Sequence, residues 1–244
     1  MGAHTAAPDE SGSLEAQRWA DSILGSEVRE PALRVWVDAR PTIVLGRAQR
    51  ADEPLARRTA SCAMDVCMRS TGGGAVLAGT WLICTSVILP PGHPLVLPQL
   101  QESFRWAGEA HARWLRSLGI PAICRLPDNV SSDPSLDWAC FGNLSAWEVS
   151  AGEGKIVGLA QARTRNGALL SSAVLVNPSP WTLLCEVMGK QQADAHVIAK
   201  RTACCAHFLH GPLSTSLLAP GLRQALTDAI QGAGQTGASL HKDG

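Results

Sequence analysis

Two glycine-bearing turn signals, Gly152-Glu153-Gly154 and Arg165-Asn166-Gly167, divide residues 139–176 into three apolar segments, and this spacing constrains the fold more than any other feature. Short apolar segments between tight turns pair with their neighbours as antiparallel strands. Residues 139–149, 155–161 and 168–176 are therefore predicted to form a meander. Such a sheet has a face to bury, and helical patterns are available to cover it. Residues 14–24 carry Leu14, Ala16, Trp19, Ala20, Ile23 and Leu24 at helical spacing, as residues 100–118 do with Phe104, Trp106, Ala107, Ala110, Trp114 and Leu115. Residues 33–37 and 42–45 read as a hairpin around Ala39-Arg40-Pro41, and residues 81–89 as a strand stopped by Pro90-Pro91. Helices are predicted at residues 193–199 and 222–230. The fold class is α+β, with a mixed, largely antiparallel sheet flanked by helices, in one domain over residues 14–231. Residues 1–13 and the Gly-rich stretch 232–244 are predicted to be flexible termini.

The 244 residues, 45% hydrophobic and 17% charged, are enough to bury a sizeable core. Twenty-one basic and 21 acidic residues cancel, and no Lys/Arg block stands out, so a general nucleic-acid binder is not expected. The apolar run at residues 81–91 is too short to span a membrane. The N-terminus lacks the basic-then-apolar pattern of an export signal, and a cytoplasmic location is expected. The eight cysteines are then expected to be reduced and mostly buried. Cys204, Cys205, His207 and His210 cluster, and Cys62 lies near Cys67, which invites a zinc site. No second pair of CxxC type accompanies them, and no metal is expected.

Residues Arg69-Ser70-Thr71-Gly72-Gly73-Gly74-Ala75-Val76 describe a bend where backbone can approach a ligand. Without Cβ atoms, successive N–H groups can turn inward around an anion. A plain loop or a strand-edge bulge is the alternative. Lys155 opens the middle strand of the meander and could face the same cavity, where a lysine beside a glycine cradle suits a phosphate or a carbonyl oxygen gaining charge. By position alone, a lysine next to a Gly-x-Gly turn is more often solvated at a hairpin tip.

Three segments in order, residues 41–47 (Pro-Thr-Ile-Val-Leu-Gly-Arg), 69–76 and 155–165, resemble the lipoate-protein ligase family. That family shares its catalytic domain with biotin-protein ligases and octanoyltransferases. The resemblance covers residues 14–184 and implies a biotin/lipoate protein ligase catalytic-domain fold. It implies that Arg69, Thr71, Gly72, Gly73, Gly74 and Ala75 contribute to the pocket, with Gly158, Ala160, Gln161 and Arg163 as further substrate contacts. Lys155 falls on the family's lysine, which holds acyl carbonyl and phosphate oxygens. The implied reaction attaches a lipoyl or octanoyl group, from lipoate or octanoate, to a lysine of an apo lipoyl carrier domain of 2-oxoacid dehydrogenases or the glycine cleavage system. An ATP- and Mg²⁺-dependent ligase working through an acyl-adenylate is the first reading. In the octanoyltransferase branch a cysteine followed by an aromatic serves as nucleophile; Cys140-Phe141 stands in that place, and no cofactor would be needed. A buried structural cysteine in a strand is the other reading of Cys140. A non-catalytic lipoate binder and a biotin-directed ligase rank below these. Leu77-Ala78-Gly79 departs from the aromatic and His-Asp of many ligases, Met68 replaces a first arginine, and Ser171-Ser172-Ala173 replaces a His-Gly.

Overall fold

A computed structural model describes residues 12–130 and 132–239. The chain runs α1 (Ser13–Leu24), β1 (Ala32–Trp36), β2 (Thr42–Leu45), α2 (Glu53–Ser61), β3 (Asp65–Met68), β4 (Val76–Ala78) and β5 (Leu82–Leu89). It continues with α3 (Arg105–Ser117), β6 (Ala122–Cys124), β7 (Val149–Ala151), β8 (Gly154–Thr164), β9 (Gly167–Leu175), α4 (Trp181–Met188), α5 (Gln192–Arg201), α6 (Cys205–Phe208) and α7 (Thr215–Ser239). A six-stranded antiparallel sheet has the order β1-β5-β9-β8-β7-β6, and a three-stranded sheet has the order β3-β2-β4. The predicted α+β class and the meander β7-β8-β9 are both present. All eight residues of β5 are buried, as a strand inside a sheet covered on both faces requires.

Register separates the two faces of the large sheet. Val35, Thr85, Ser172 and Leu159 form one cross-strand row, and the next row is Trp36, Cys84, Ala173 and Gly158. Side chains alternate along each strand, so the first row lies under α3 and the second faces α1 and the small sheet. Under α3, His111 is fully buried, with Nδ1 2.7 Å from the Ala107 carbonyl and Nε2 2.9 Å from Ser172 Oγ. A carbonyl only accepts, so Nδ1 carries the proton, Ser172 donates to Nε2, and Thr85 donates to Ser172 Oγ at 2.6 Å.

Two predicted pairings differ. β1 and β2 form no hairpin, because they belong to different sheets. The link between them is drawn inward: Asp38 is buried and accepts from Ser13 N, Ser13 Oγ and Trp36 Nε1. It thereby caps α1, whose own N-cap, Gly12, has no side chain to do so. β2 instead pairs parallel with β3 through the crossover helix α2, which Asp52 caps by accepting from Leu55 N. Residues 139–148 form turns rather than strand, and only Val149–Ala151 pairs with β8.

The predicted C-terminal helix is longer than expected, with α7 reaching Ser239 through part of the stretch expected to be flexible. Residues 1–11 and 240–244, also expected to be flexible, lie outside the described residues. Among the described residues no helix is long and apolar enough to cross a membrane.

Candidate active site

Arg69 shapes the glycine bend from beneath. Its guanidinium donates to the carbonyls of Gly72 (2.7 Å), Gly74 (2.8 Å) and Val44 (3.3 Å). With those carbonyls held, the N–H groups of Gly72, Gly73 and Gly74 have no acceptor among the described residues. Three amides in sequence are left without an acceptor among the described residues, as a cradle would require, and Gly73 has φ +91°. Gly74 is required for a second reason: a Cβ there would lie 2.6 Å from backbone atoms of Trp138 and Ala139. That close approach is locked by Ala75 N donating to the Trp138 carbonyl (2.7 Å) and Cys140 N to the Ala75 carbonyl (3.0 Å). The cradle and the Cys140 turn are thus one unit.

Lys155 is no solvated tip. It is 3% exposed, and its three N–H donors reach the Cys140 carbonyl (2.6 Å), the Asn143 carbonyl (2.9 Å) and Glu148 Oε2 (2.7 Å). Glu148 was not predicted as a site residue. Its Oε2 also accepts from Ser145 N and its Oε1 from Leu159 N, so the buried carboxylate is balanced by one charge and two amides. The turn that delivers it passes through Trp147 at φ +66°, a region bulky residues rarely occupy. The sequence signal for Glu148 is a lone carboxylate within the apolar run Ala146-Trp147-Glu148-Val149, which calls for a buried partner.

These groups converge on Gly158. A methyl added there would sit 3.2 Å from Cys140 Sγ, 3.5 Å from Lys155 Cε and 3.7 Å from Glu148 Oε1. Gly72, Gly73, Gly74, Cys140, Glu148 and Lys155 line one chamber. From it a slot of about 580 Å³, including its open mouth, runs between the large sheet and a roof made of α1 and the small sheet. Small side chains carve its floor: Cys84, Ala173 and Gly158 in one row, and Ser86, Ser171 and Ala160 in the next. Cys140 borders both slot and chamber. Two other thiols line the slot, but burial pushes Cys67 up to about 11 and Cys84 well above the ordinary thiol value. They remain protonated at neutral pH and serve as small apolar wall.

The other predicted site residues divide. Thr71 is fully buried with an unpartnered Oγ1, and Ala75 is buried in the bridge to Ala139. Gly158 and Ala160 face the slot, whereas Gln161 lies on the opposite side of β8. Arg163 is directed away: it holds the Pro98 carbonyl and Ser103 Oγ at the entry to α3. Cys204 and His207 cap the short α6, and burial raises the Cys204 and Cys205 thiols.

An octanoyltransferase LipM from an Exiguobacterium species (strain AT1b) is 33% identical over 183 residues, covering 71% of this chain and 66% of that protein. Another from Kyrpidia tusciae is 32% identical over 158 residues, covering 63% and 57%. The chain therefore spans between about half and two thirds of the length of its curated relatives. Among solved structures, a T. acidophilum protein with bound lipoic acid superposes with TM-score 0.67 at 20% identity, covering 91% of this chain and 82% of that one. Lipoate-protein ligase A bound with ATP gives 0.63 at 22%, covering 86% and 78%. These two establish likeness of fold. The family model for the lipoyl protein ligase A/B catalytic domain matches residues 13–212, and the chain belongs to that family.

Proposed function

We propose that this protein is an ATP-independent acyltransferase that moves an octanoyl or lipoyl group through a thioester on Cys140 to a lysine of a lipoyl carrier domain. The observation that carries this reading is the place of Cys140, between an apolar slot and a chamber holding free amides and a lysine. An eight-carbon chain is slim and apolar, as the small-residue floor demands. The Cys140 thiol gives up its proton and attacks the carbonyl of an acyl thioester on the donor; a new C–S bond forms, the donor C–S bond breaks, and the donor sulfur takes up a proton in place of the one Cys140 lost and leaves as a thiol. The glycine amides suit the oxygen that gains charge in each step. Lys155 holds the Cys140 turn through that residue's own carbonyl and keeps a positive charge beside it. A neutral lysine amine then attacks, the amide forms, and its proton returns Cys140 to the thiol.

The sequence alone ranked an ATP-dependent ligase first. Two observations favour the transferase. The curated relatives bear the octanoyltransferase name. In addition, the charged residues lining the chamber are Asp137, Glu148 and Lys155, and the one cation among them has all three donors engaged. That lining fits a triphosphate poorly.

The test supplies an octanoyl carrier protein and an apo lipoyl domain without ATP, with the acceptor read by mass. Octanoylation of the acceptor, together with a hydroxylamine-labile adduct on wild-type protein that Cys140→Ser lacks, is expected. Modification that requires Mg-ATP with free lipoate or octanoate, and that survives Cys140→Ser, would instead establish the ligase.

A further inference from the structure

β7 is much shorter than β8 and pairs with it only as far as Val157, which leaves the outer edge of β8 open beyond that point. The edge has a defined polarity. Leu159 N donates outward to Glu148 Oε1 rather than to β9, so Leu159 and, two residues on, Gln161 turn their main-chain groups away from the sheet. The outward carbonyls of Leu159 and Gln161 have no donor among the described residues. Beside this edge runs a groove walled by Gly72 and Gly73 on one side and by Leu100 and Phe104 on the other. Gln161 also lines it, is 9% exposed, and has its side-chain oxygen buried with no hydrogen-bond partner. A buried amide oxygen without a donor is costly, which favours a carboxamide turned so that the oxygen meets a donor in the groove.

The groove opens into the chamber, since both are lined by Leu159, Ala160, Ser145 and Glu148. Leu159 and Ala160 also border the acyl slot, so three spaces meet at one point of β8. The slot suits the acyl tail and the chamber holds the thiol, which leaves the groove as a third arm. Its chemistry is that of a receptor for a long amine. The exposed Leu100 and half-buried Phe104 offer apolar cover for a methylene stem. The Gln161 carboxamide, after a half turn about its terminal torsion, and the two edge carbonyls offer acceptors to the N–H groups at the stem's end. Charge agrees: across groove and chamber, Asp137 and Glu148 stand against Lys155, a formal excess of one negative charge.

We propose that this groove admits the acceptor's lysine side chain, with Gln161 binding its amine on the way to the Cys140 thioester. The inference rests on the acyltransferase reading above. The lysine arrives as an ammonium and gives one proton to solvent before attack; its second proton follows the electron pair to the Cys140 sulfur as the amide forms.

The two readings are separated by working on the isolated acyl-enzyme. Protein charged from an octanoyl carrier protein is mixed either with an apo lipoyl domain or with hydroxylamine, a small neutral nucleophile that has no stem to seat, and loss of the thioester is timed by mass. Gln161→Leu and, independently, Leu100→Lys should each lower the ratio of lysine transfer to hydroxylamine discharge by about tenfold or more, as loss of a hydrogen bond to a charged group or added like charge predicts. Equal slowing of both discharges would mean that the substitutions merely disturb the fold, and an unchanged ratio would mean that the lysine enters elsewhere; either result overturns the inference. If wild-type protein forms no thioester on Cys140, the acyltransferase reading fails first and this one with it.

Discussion

Lys155 donates to the main-chain carbonyl of Cys140 at 2.6 Å, so the ammonium holds the very residue whose thiol it stands beside. Its link to Glu148 makes this a buried ion pair with both side chains at most 4% exposed. Removing one partner of such a pair strands the other, whereas replacing both with apolar groups can restore stability. Glu148→Gln is therefore expected to lower unfolding free energy by about 3 kcal/mol in urea titration. Glu148→Leu combined with Lys155→Met should recover most of that loss yet leave acyl transfer abolished. Recovery of activity with stability would refute the assignment of Lys155 to the reaction.

Gly74→Ala tests the junction between cradle and nucleophile. The added methyl meets backbone, which cannot yield as a flexible side chain would, and a cost of about 1–3 kcal/mol is expected. Because that backbone leads directly to Cys140, the rate of thioester formation should fall as well. A variant with wild-type melting and wild-type charging would show that the two segments do not need their close approach.

In the proposed reaction the slot floor would set which chains fit. Ser171 lies in the small-residue row with Ser86 and Ala160, and Ser171→Leu fills that row. The variant should lower kcat/KM for octanoyl relative to butanoyl donors by about tenfold or more. Competition between the two donors measures this directly, and an unchanged ratio would place the acyl tail outside the slot.

His111 gives the fold a defined acid sensitivity. Burial lowers its pKa from 6.5 to about 4, and the Ala107 carbonyl offsets this only in part. The unfolded chain therefore binds a proton that the folded chain refuses, so stability is full above about pH 6.5 and falls as pH drops toward 4. The loss amounts to about 3 kcal/mol at the lower end. Denaturant titrations across this range should show that slope in wild-type protein and a flatter one in His111→Gln. Equal slopes would assign the acid sensitivity to other groups.

Turn chemistry made the meander legible, because Gly152 at φ +57° and the Asn166-Gly167 turn leave few other ways to connect those strands. The glycine bend was legible for the same local reason, whereas the burial of Lys155 was not, since a lysine after a Gly-x-Gly turn reads locally as a solvated tip. Residues 139–148 misled because their apolar content imitates a strand. Their carbonyls are claimed instead by Lys155, and Gly142 packs so closely on the Leu136 carbonyl that a Cβ would lie 2.5 Å away. Neither long-range demand is written in the local pattern. Gln161 and Arg163 are neighbours in the motif and share a strand face, yet the short reach of β7 leaves one beside the groove and the loop before α3 captures the other.

The roof helix α1 is fastened at two places, by Ser13 to the buried Asp38 and by Gln17 and Asp21 to Ser70. Lifting it would take two of the three named donors from the buried Asp38 and release Ser70, which precedes the glycine bend. The slot therefore behaves as a sleeve rather than a hinged shell. In the proposed reaction an acyl chain would have to thread it methyl end first, its carbonyl halting last, at the mouth beside Cys140.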